Sequence, residues 1–183
     1  YEGKWIVGDL SRGLIMAVTL TSEGAYAGME RFLPSYRPVE PIDMKFGPDG
    51  DLYVHFRKAN IIVGGDVLSV GRYPIIDWST GGWLGGLADG AKALASLGND
   101  ATRYVPGLGG LQTRAAVNAE AQMLATMRTR LAKLLAEGMS AQDMVDAKPT
   151  QDFDAQWGDP TLFIRNAWPG LVARARELGV SIV

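Results

Sequence analysis

Asn60-Ile61-Ile62-Val63-Gly64-Gly65-Asp66 is an apolar run that ends on two glycines and a carboxylate, and it divides the chain into two unlike parts. A continuous apolar stretch of this length reads as a strand buried on both faces whose end opens into a loop. Any chemistry in the chain is expected at that open end. Upstream the pattern is β-like: Lys4 to Leu10, Gly13 to Leu20 and Ala25 to Leu33 are rich in β-branched and aromatic residues, and Ser22-Glu23-Gly24 is placed to close a hairpin. A second pair, Pro41 to Phe46 and Asp51 to Phe56, flanks Gly47-Pro48-Asp49-Gly50. The proline there fixes one φ angle and the glycines permit positive ones, which is what a tight turn needs.

Downstream the period changes. Leu84, Leu87, Ala91, Leu94 and Leu97 recur at helical spacing, and Tyr104-Val105 makes a short strand. Gly107, Gly109 and Gly110 then form a flexible turn before the longest helix, from about Thr113 to Glu137. Met123, Leu124, Met127, Leu131, Leu134 and Leu135 give it one apolar stripe, and Gly138 sits where a C-terminal glycine cap belongs. Ser140 is positioned to cap a short following helix. Asp159-Pro160 supplies an N-cap followed by proline at the first helical position, opening a last helix toward Leu178 with Gly179 as its stop. Pro169 is expected to kink or divide that helix. The order is β-rich to about residue 65 and α-rich after it, which predicts an α+β protein with a boundary at the Gly47 to Gly50 turn.

Composition narrows the functions. A chain of 183 residues with 47% apolar and 21% charged residues has the makeup of a soluble globular protein. Its net charge of −2 provides no basic footprint for nucleic acid, which is set aside as the main partner. No apolar window approaches the ~20 residues of a membrane span. The absence of cysteine removes disulfides, thiolate nucleophiles and Cys-type zinc sites, and leaves the compartment open. Beginning at Tyr1 inside a strand-like stretch, with no initiator Met, the sequence reads as a processed chain or a fragment.

A single histidine, His55, cannot build a histidine-rich zinc centre alone. As the base of a Ser-His-Asp triad it is poorly placed, because Val54 and Phe56 flank it in a strand and Ser69 lies in no Gly-x-Ser-x-Gly elbow; an ordinary strand histidine is the simpler reading. Gly107-Leu108-Gly109-Gly110 lacks the Gly-Lys-Ser/Thr ending of a phosphate loop and reads as a turn. Trp78 and Trp83, near the Asp66 loop, suit either ring stacking on a sugar or partly buried packing. Asp49, Asp51, Asp66 and Asp77 cluster in sequence around the β-to-α transition, where a hard cation would need several oxygens converging in space.

From about residue 49 to 183, and above all in His55-Phe56-Arg57-Lys58-Ala59-Asn60-Ile61-Ile62-Val63-Gly64-Gly65-Asp66-Val67, the chain resembles the C-terminal half of a metallo-β-lactamase-fold hydrolase. Gly71-Arg72-Tyr73-Pro74, Thr80-Gly81-Gly82 and Val105-Pro106-Gly107 continue the match in order over about three quarters of the chain. The resemblance implies half of an αββα sandwich, with two metal ions, usually zinc, held by a His-x-His-x-Asp-His loop, further histidines and a bridging aspartate. It places Asp66 at that aspartate. The His-x-His-x-Asp-His loop is absent, however, and the histidine expected in a Pro-Gly-His-Gly motif is replaced by Leu108. An isobutyl group donates no electron pair, so Asp66 is expected to be vestigial and no cofactor is expected in the place of the family's zinc.

Residues 1 to about 54 resemble a different family. Gly3-Lys4-Trp5, Arg12-Gly13-Leu14-Ile15-Met16-Ala17-Val18-Thr19, Met29-Glu30-Arg31-Phe32-Leu33-Pro34 and Pro41 to Tyr53 are similar to blade segments of a quinone-dependent sugar dehydrogenase β-propeller. One blade's worth of strands cannot enclose the quinone, so cofactor binding does not transfer. Both resemblances meet at Asp49-Gly50-Asp51-Leu52-Tyr53-Val54, and the chain reads as a chimera: a hairpin segment over 1–50 and a half metallo-β-lactamase-like region over 51–183.

The resulting expectation is a non-catalytic, degenerate relative of those hydrolases that self-associates or lacks a partner half. The alternatives are a residual metal-dependent hydrolase of ester, lactam or similar bonds using Asp66, Asp77, His55 and ligands from a second subunit, and a carbohydrate-binding module using exposed tryptophans.

Overall fold

The computed structural model describes residues 4–9, 14–23, 25–31, 43–46, 52–80 and 82–178. The protein is α+β. Strands β1 (Lys4–Asp9), β2 (Leu14–Leu20) and β3 (Tyr26–Arg31) form an antiparallel meander, with Ile6 opposite Ala17 and Val18 opposite Met29. The expected hairpin at Ser22-Glu23 is present. Thr21 closes it twice, since its N–H donates to the Ala25 carbonyl at 2.8 Å and its hydroxyl accepts from the Ala25 N–H at 3.1 Å. Gly24 lies outside the described residues.

The second sheet has the order β4-β5-β6-β7-β8, formed by Asp43–Phe46, Leu52–Phe56, Ile61–Gly65, Arg103–Pro106 and Gln112–Thr113. Every neighbouring pair is antiparallel except β6 and β7, which run the same way. The Gly47 to Gly50 turn falls outside the described residues, but Phe46 pairs with Leu52 on either side of it, so the ladder spans the stretch where the two resemblances meet. Asn60 sets up the parallel pair. It takes a left-handed φ of 54°, tolerable for a short polar side chain, and its carbonyl accepts the Arg103 N–H at 3.0 Å while its side-chain oxygen accepts the Thr102 hydroxyl at 2.6 Å.

A parallel pair needs a crossover, here helix α1 (Leu84–Leu97). Helix α2 (Arg114–Ala136) packs against α1, and α3 (Ala141–Asp146), α4 (Asp154–Trp157) and α5 (Thr161–Glu177) complete the layer. The expected stripe on α2 is the spine of the core: Met123, Leu124, Met127 and Leu131 are fully buried among Ile62, Leu84, Leu94, Tyr104 and Phe163. Thr113 caps α2 by accepting the Ala116 N–H. Gly138 ends it with φ 81°, its N–H bonding to the Leu135 carbonyl while the Met139 N–H returns to Leu134. Ser140 and Asp143 form a reciprocal capping box on α3.

Three expectations are corrected. β6 is not equally buried on both faces: Ile62 and Gly64 are buried whereas Ile61, Val63 and Gly65 are half-buried, because the helices cover one face of the sheet more fully than the other is covered. Pro169 does not divide the last helix, which runs through it. Phe163, Ile164 and Ala167 before it, and Gly170, Leu171 and Val172 after it, are all buried, so packing keeps both halves helical despite the missing N–H. Pro160 itself occupies the N-cap position of α5, and Asp159, one residue earlier than a standard cap, accepts the Thr161 N–H at 2.9 Å. Gly179 is outside the described residues, as are Asp49 and Asp51. Strand β8 and helix α4 were not expected. Among the described residues no helix is long and apolar enough to cross a membrane.

Candidate functional site

Because β6 and β7 are parallel, their C-terminal ends open side by side, and such an edge is where ligands bind in sheets of this kind. Gly65 turns the chain there with φ 55°, and its carbonyl accepts both the Leu68 N–H at 3.2 Å and the Gly107 N–H at 2.8 Å. These two bonds bring the Asp66 turn against the Gly107 loop. The approach is close: a Cβ at 107 would lie 2.2 Å from Asp66 Oδ1 and 3.1 Å from the Gly65 carbonyl carbon, so any larger residue there must push the exposed Asp66 side chain aside.

Asp66 and Leu108, expected at the same mouth, are thus on adjacent turns. Asp66 is exposed, Leu108 is 66% exposed and Leu111 is 59% exposed, so among the described residues the mouth sets a carboxylate beside hydrocarbon. That donor set does not fit zinc, which takes three or four N, S or O ligands. Among the described residues no three His, Cys, Asp or Glu side chains group as a metal site would require.

The other candidates do not gather at the mouth. His55 is half-buried on β5 opposite Ile62, three residues back from Gly65, or about 10 Å along the ladder. Asp77 instead holds the short 3-10 turn Trp78–Thr80: its Oδ1 accepts the Ser79 N–H at 2.9 Å and the Ser79 hydroxyl at 2.5 Å, and its carbonyl accepts the Gly82 N–H. Trp83 and Trp78 pack on Gly170 of α5, and the guanidinium groups of Arg128 and Arg174 lie 5.5 and 5.7 Å from the Trp83 ring centre. Packing is therefore the observed role of Trp83. Gly107 to Gly110 is a turn, with Gly109 at φ 100° and the Gln112 side-chain amide donating to the Gly110 carbonyl.

The chain matches no family model and no curated protein.

Two polar groups behind the mouth escaped the sequence reading. Glu120 of α2 is fully buried; its Oε1 accepts the Ser69 N–H at 2.7 Å, and its Oε2 has no hydrogen-bond partner among the described residues. Burial pushes its pKa up to about 7, and the Ser69 N–H opposes this by favouring the anion. A signal existed, because residues 117, 120, 124, 127 and 131 share one helix face and Glu120 interrupts an otherwise apolar set of Val117, Leu124, Met127 and Leu131. Tyr73 anchors the following loop: its hydroxyl donates to Asp154 Oδ1 at 2.9 Å and its ring stacks on Phe163 at 5.1 Å. Burial raises the Tyr73 pKa, and the Asp154 carboxylate beside it adds to the rise.

Proposed function

We propose that this chain is a non-catalytic, degenerate and chimeric relative of the metallo-β-lactamase-like hydrolases, in which propeller-like hairpins stand beside half of the parent sandwich. The observation that carries the reading is the juxtaposition at the ends of β6 and β7, where Asp66 comes against Gly107, next to Leu108, and among the described residues no set of nitrogen donors joins it. A water at this mouth would have no metal to lower its pKa, so it would remain a poor nucleophile at neutral pH. The exposed Leu108 and Leu111 side chains favour self-association or binding of a partner half over chemistry.

Elemental analysis of the purified, dialysed protein tests the first part. The expected result is zinc well below one ion per chain and no chelator-sensitive hydrolysis of ester or lactam substrates. Stoichiometric zinc, with hydrolysis abolished both by chelator and by Asp66→Ala, would replace this reading with a residual hydrolase completed by a second subunit. For the association, light scattering is expected to show a species larger than 19.7 kDa. A monomer at high concentration would remove that part and leave the catalytic reading untouched.

A further inference from the structure

We infer that Glu120 is a proton-operated latch, which holds the Asp66 to Val70 loop against α2 when protonated and releases it when ionised. The latch joins two elements: the carboxyl lies on α2, and the Ser69 N–H that it accepts belongs to the loop that leaves β6 at the candidate site. Val67 and Leu68, next to Ser69 in the same loop, are buried, whereas Ser69 itself is half-buried, so water lies close to the loop side of this seam.

As a neutral acid, Glu120 satisfies the Ser69 N–H with its carbonyl oxygen at modest cost. As a carboxylate it offers about four lone-pair sites to one donor, in a site lined by Val117, Met123 and Leu124. Among the described residues no cation is paired with it. The charged groups on the elements packed around α2, namely Asp66 and Arg72 on the loop, Asp89 and Lys92 on α1, Arg103 on β7 and Arg165, Arg174, Arg176 and Glu177 on α5, are all exposed. On α2 itself Arg114 is engaged with Asp100 and Arg128 with Asp89, and the buried Tyr104 hydroxyl lies beside Gly98. The influences on Glu120 are burial and one backbone N–H. An anion formed there is relieved by letting water into the seam, and the seam opens where the loop lifts from α2. The rim of the mouth that carries Asp66 moves with it. This holds whether or not Asp66 ever binds a metal.

Amide hydrogen exchange at Ser69 in the intact chain tests the latch. After correction for the intrinsic base-catalysed rate, protection of the Ser69 amide is expected to fall by up to roughly tenfold per pH unit as pH rises from about 4.5 to about 7, and to level off above that. Amides in the middle of α2, such as that of Met127, should stay constant, and Glu120→Gln should flatten the Ser69 profile. His55 is the chain's single histidine and serves as the control, so His55→Asn must retain the Ser69 transition. Constant protection at Ser69 from about pH 5 to about pH 9 would overturn the latch, as would a transition that survives in Glu120→Gln or disappears in His55→Asn. If Glu120→Gln does not fold, the parent chain and His55→Asn decide the matter, because the first must show the Ser69 transition and the second must keep it.

Discussion

Helix α2 carries two polar contacts that handle charge in opposite ways. Near its start, Glu120 is buried and meets one backbone N–H; about 15 Å further along, Arg130 sits at the surface and is fully engaged. Arg130 donates to both oxygens of Asp152 at 2.6 and 2.8 Å, to the Pro149 carbonyl at 2.5 Å, and lies over the Phe153 ring. Its Asp152 partner is held below the usual carboxylate range by the guanidinium hydrogen bond, whereas Glu120 is held above that range by burial. One helix therefore carries a carboxyl that prefers its proton and an arginine that holds the Asp152 carboxylate, from the turn before α4, in its ionised form. Pairing without desolvation lowers a carboxyl pKa, and desolvation without pairing raises it.

The comparison fixes the direction of each effect on stability. Met127 lies between the two contacts in the fully buried stripe, so Met127→Ala should undo the docking of both and cost about 2–5 kcal/mol by chemical denaturation. A loss under about 1 kcal/mol would mean that the stripe does not carry the core. Glu120 comes next. Its folded pKa, about 7, exceeds the ordinary 4.5, so the folded state binds more protons between these values and stability falls as pH rises through that window. The fall should approach about 3 kcal/mol and vanish in Glu120→Gln; a stability that rises from pH 5 to pH 7 in the parent chain, and equally in the variant, would contradict it. Beyond Arg130, Gly138→Ala forces a methyl-bearing residue into φ 81° and should cost about 1 kcal/mol. An unchanged melting temperature there would show that the C-terminal cap of α2 is dispensable. The smallest effect belongs to Asp152→Asn. Asp152 contributes above its ordinary pKa and loses that contribution as pH falls below it, so the variant should differ from the parent near neutral pH by little and converge with it in acid. A difference that grows toward acid would reverse the assignment.

What was legible in the sequence follows from where side chains alone determine the outcome. The α2 stripe is written in a period that one helix face repeats, and Gly138 marks its end because few other residues accept that φ. Strand β8 is two residues long and exists only because β7 offers an edge to pair with, so no local pattern announces it. Pro169 was expected to interrupt a helix on local grounds, and the buried residues on both sides overrule it. At the site, the parallel register that brings the Asp66 turn against the Gly107 loop is tertiary, and no local pattern encodes it. Glu120 was missed for a related reason: a charged residue in a helix suggests solvent, and only its position in the stripe points inward.

The contact between Gly107 and Asp66 has a consequence for how this mouth can change over generations. A side chain at 107 must displace the Asp66 carboxylate, so substitutions at the two positions are not independent. Loss of the carboxylate first, as in Asp66→Gly, removes the nearer of the two contacts before Gly107→Ala meets the Gly65 carbonyl carbon, whereas in the reverse order the Asp66 side chain must first swing aside. The mouth therefore has a preferred mutational route, in which a residual acidic group acts as the gatekeeper of the neighbouring loop's diversity.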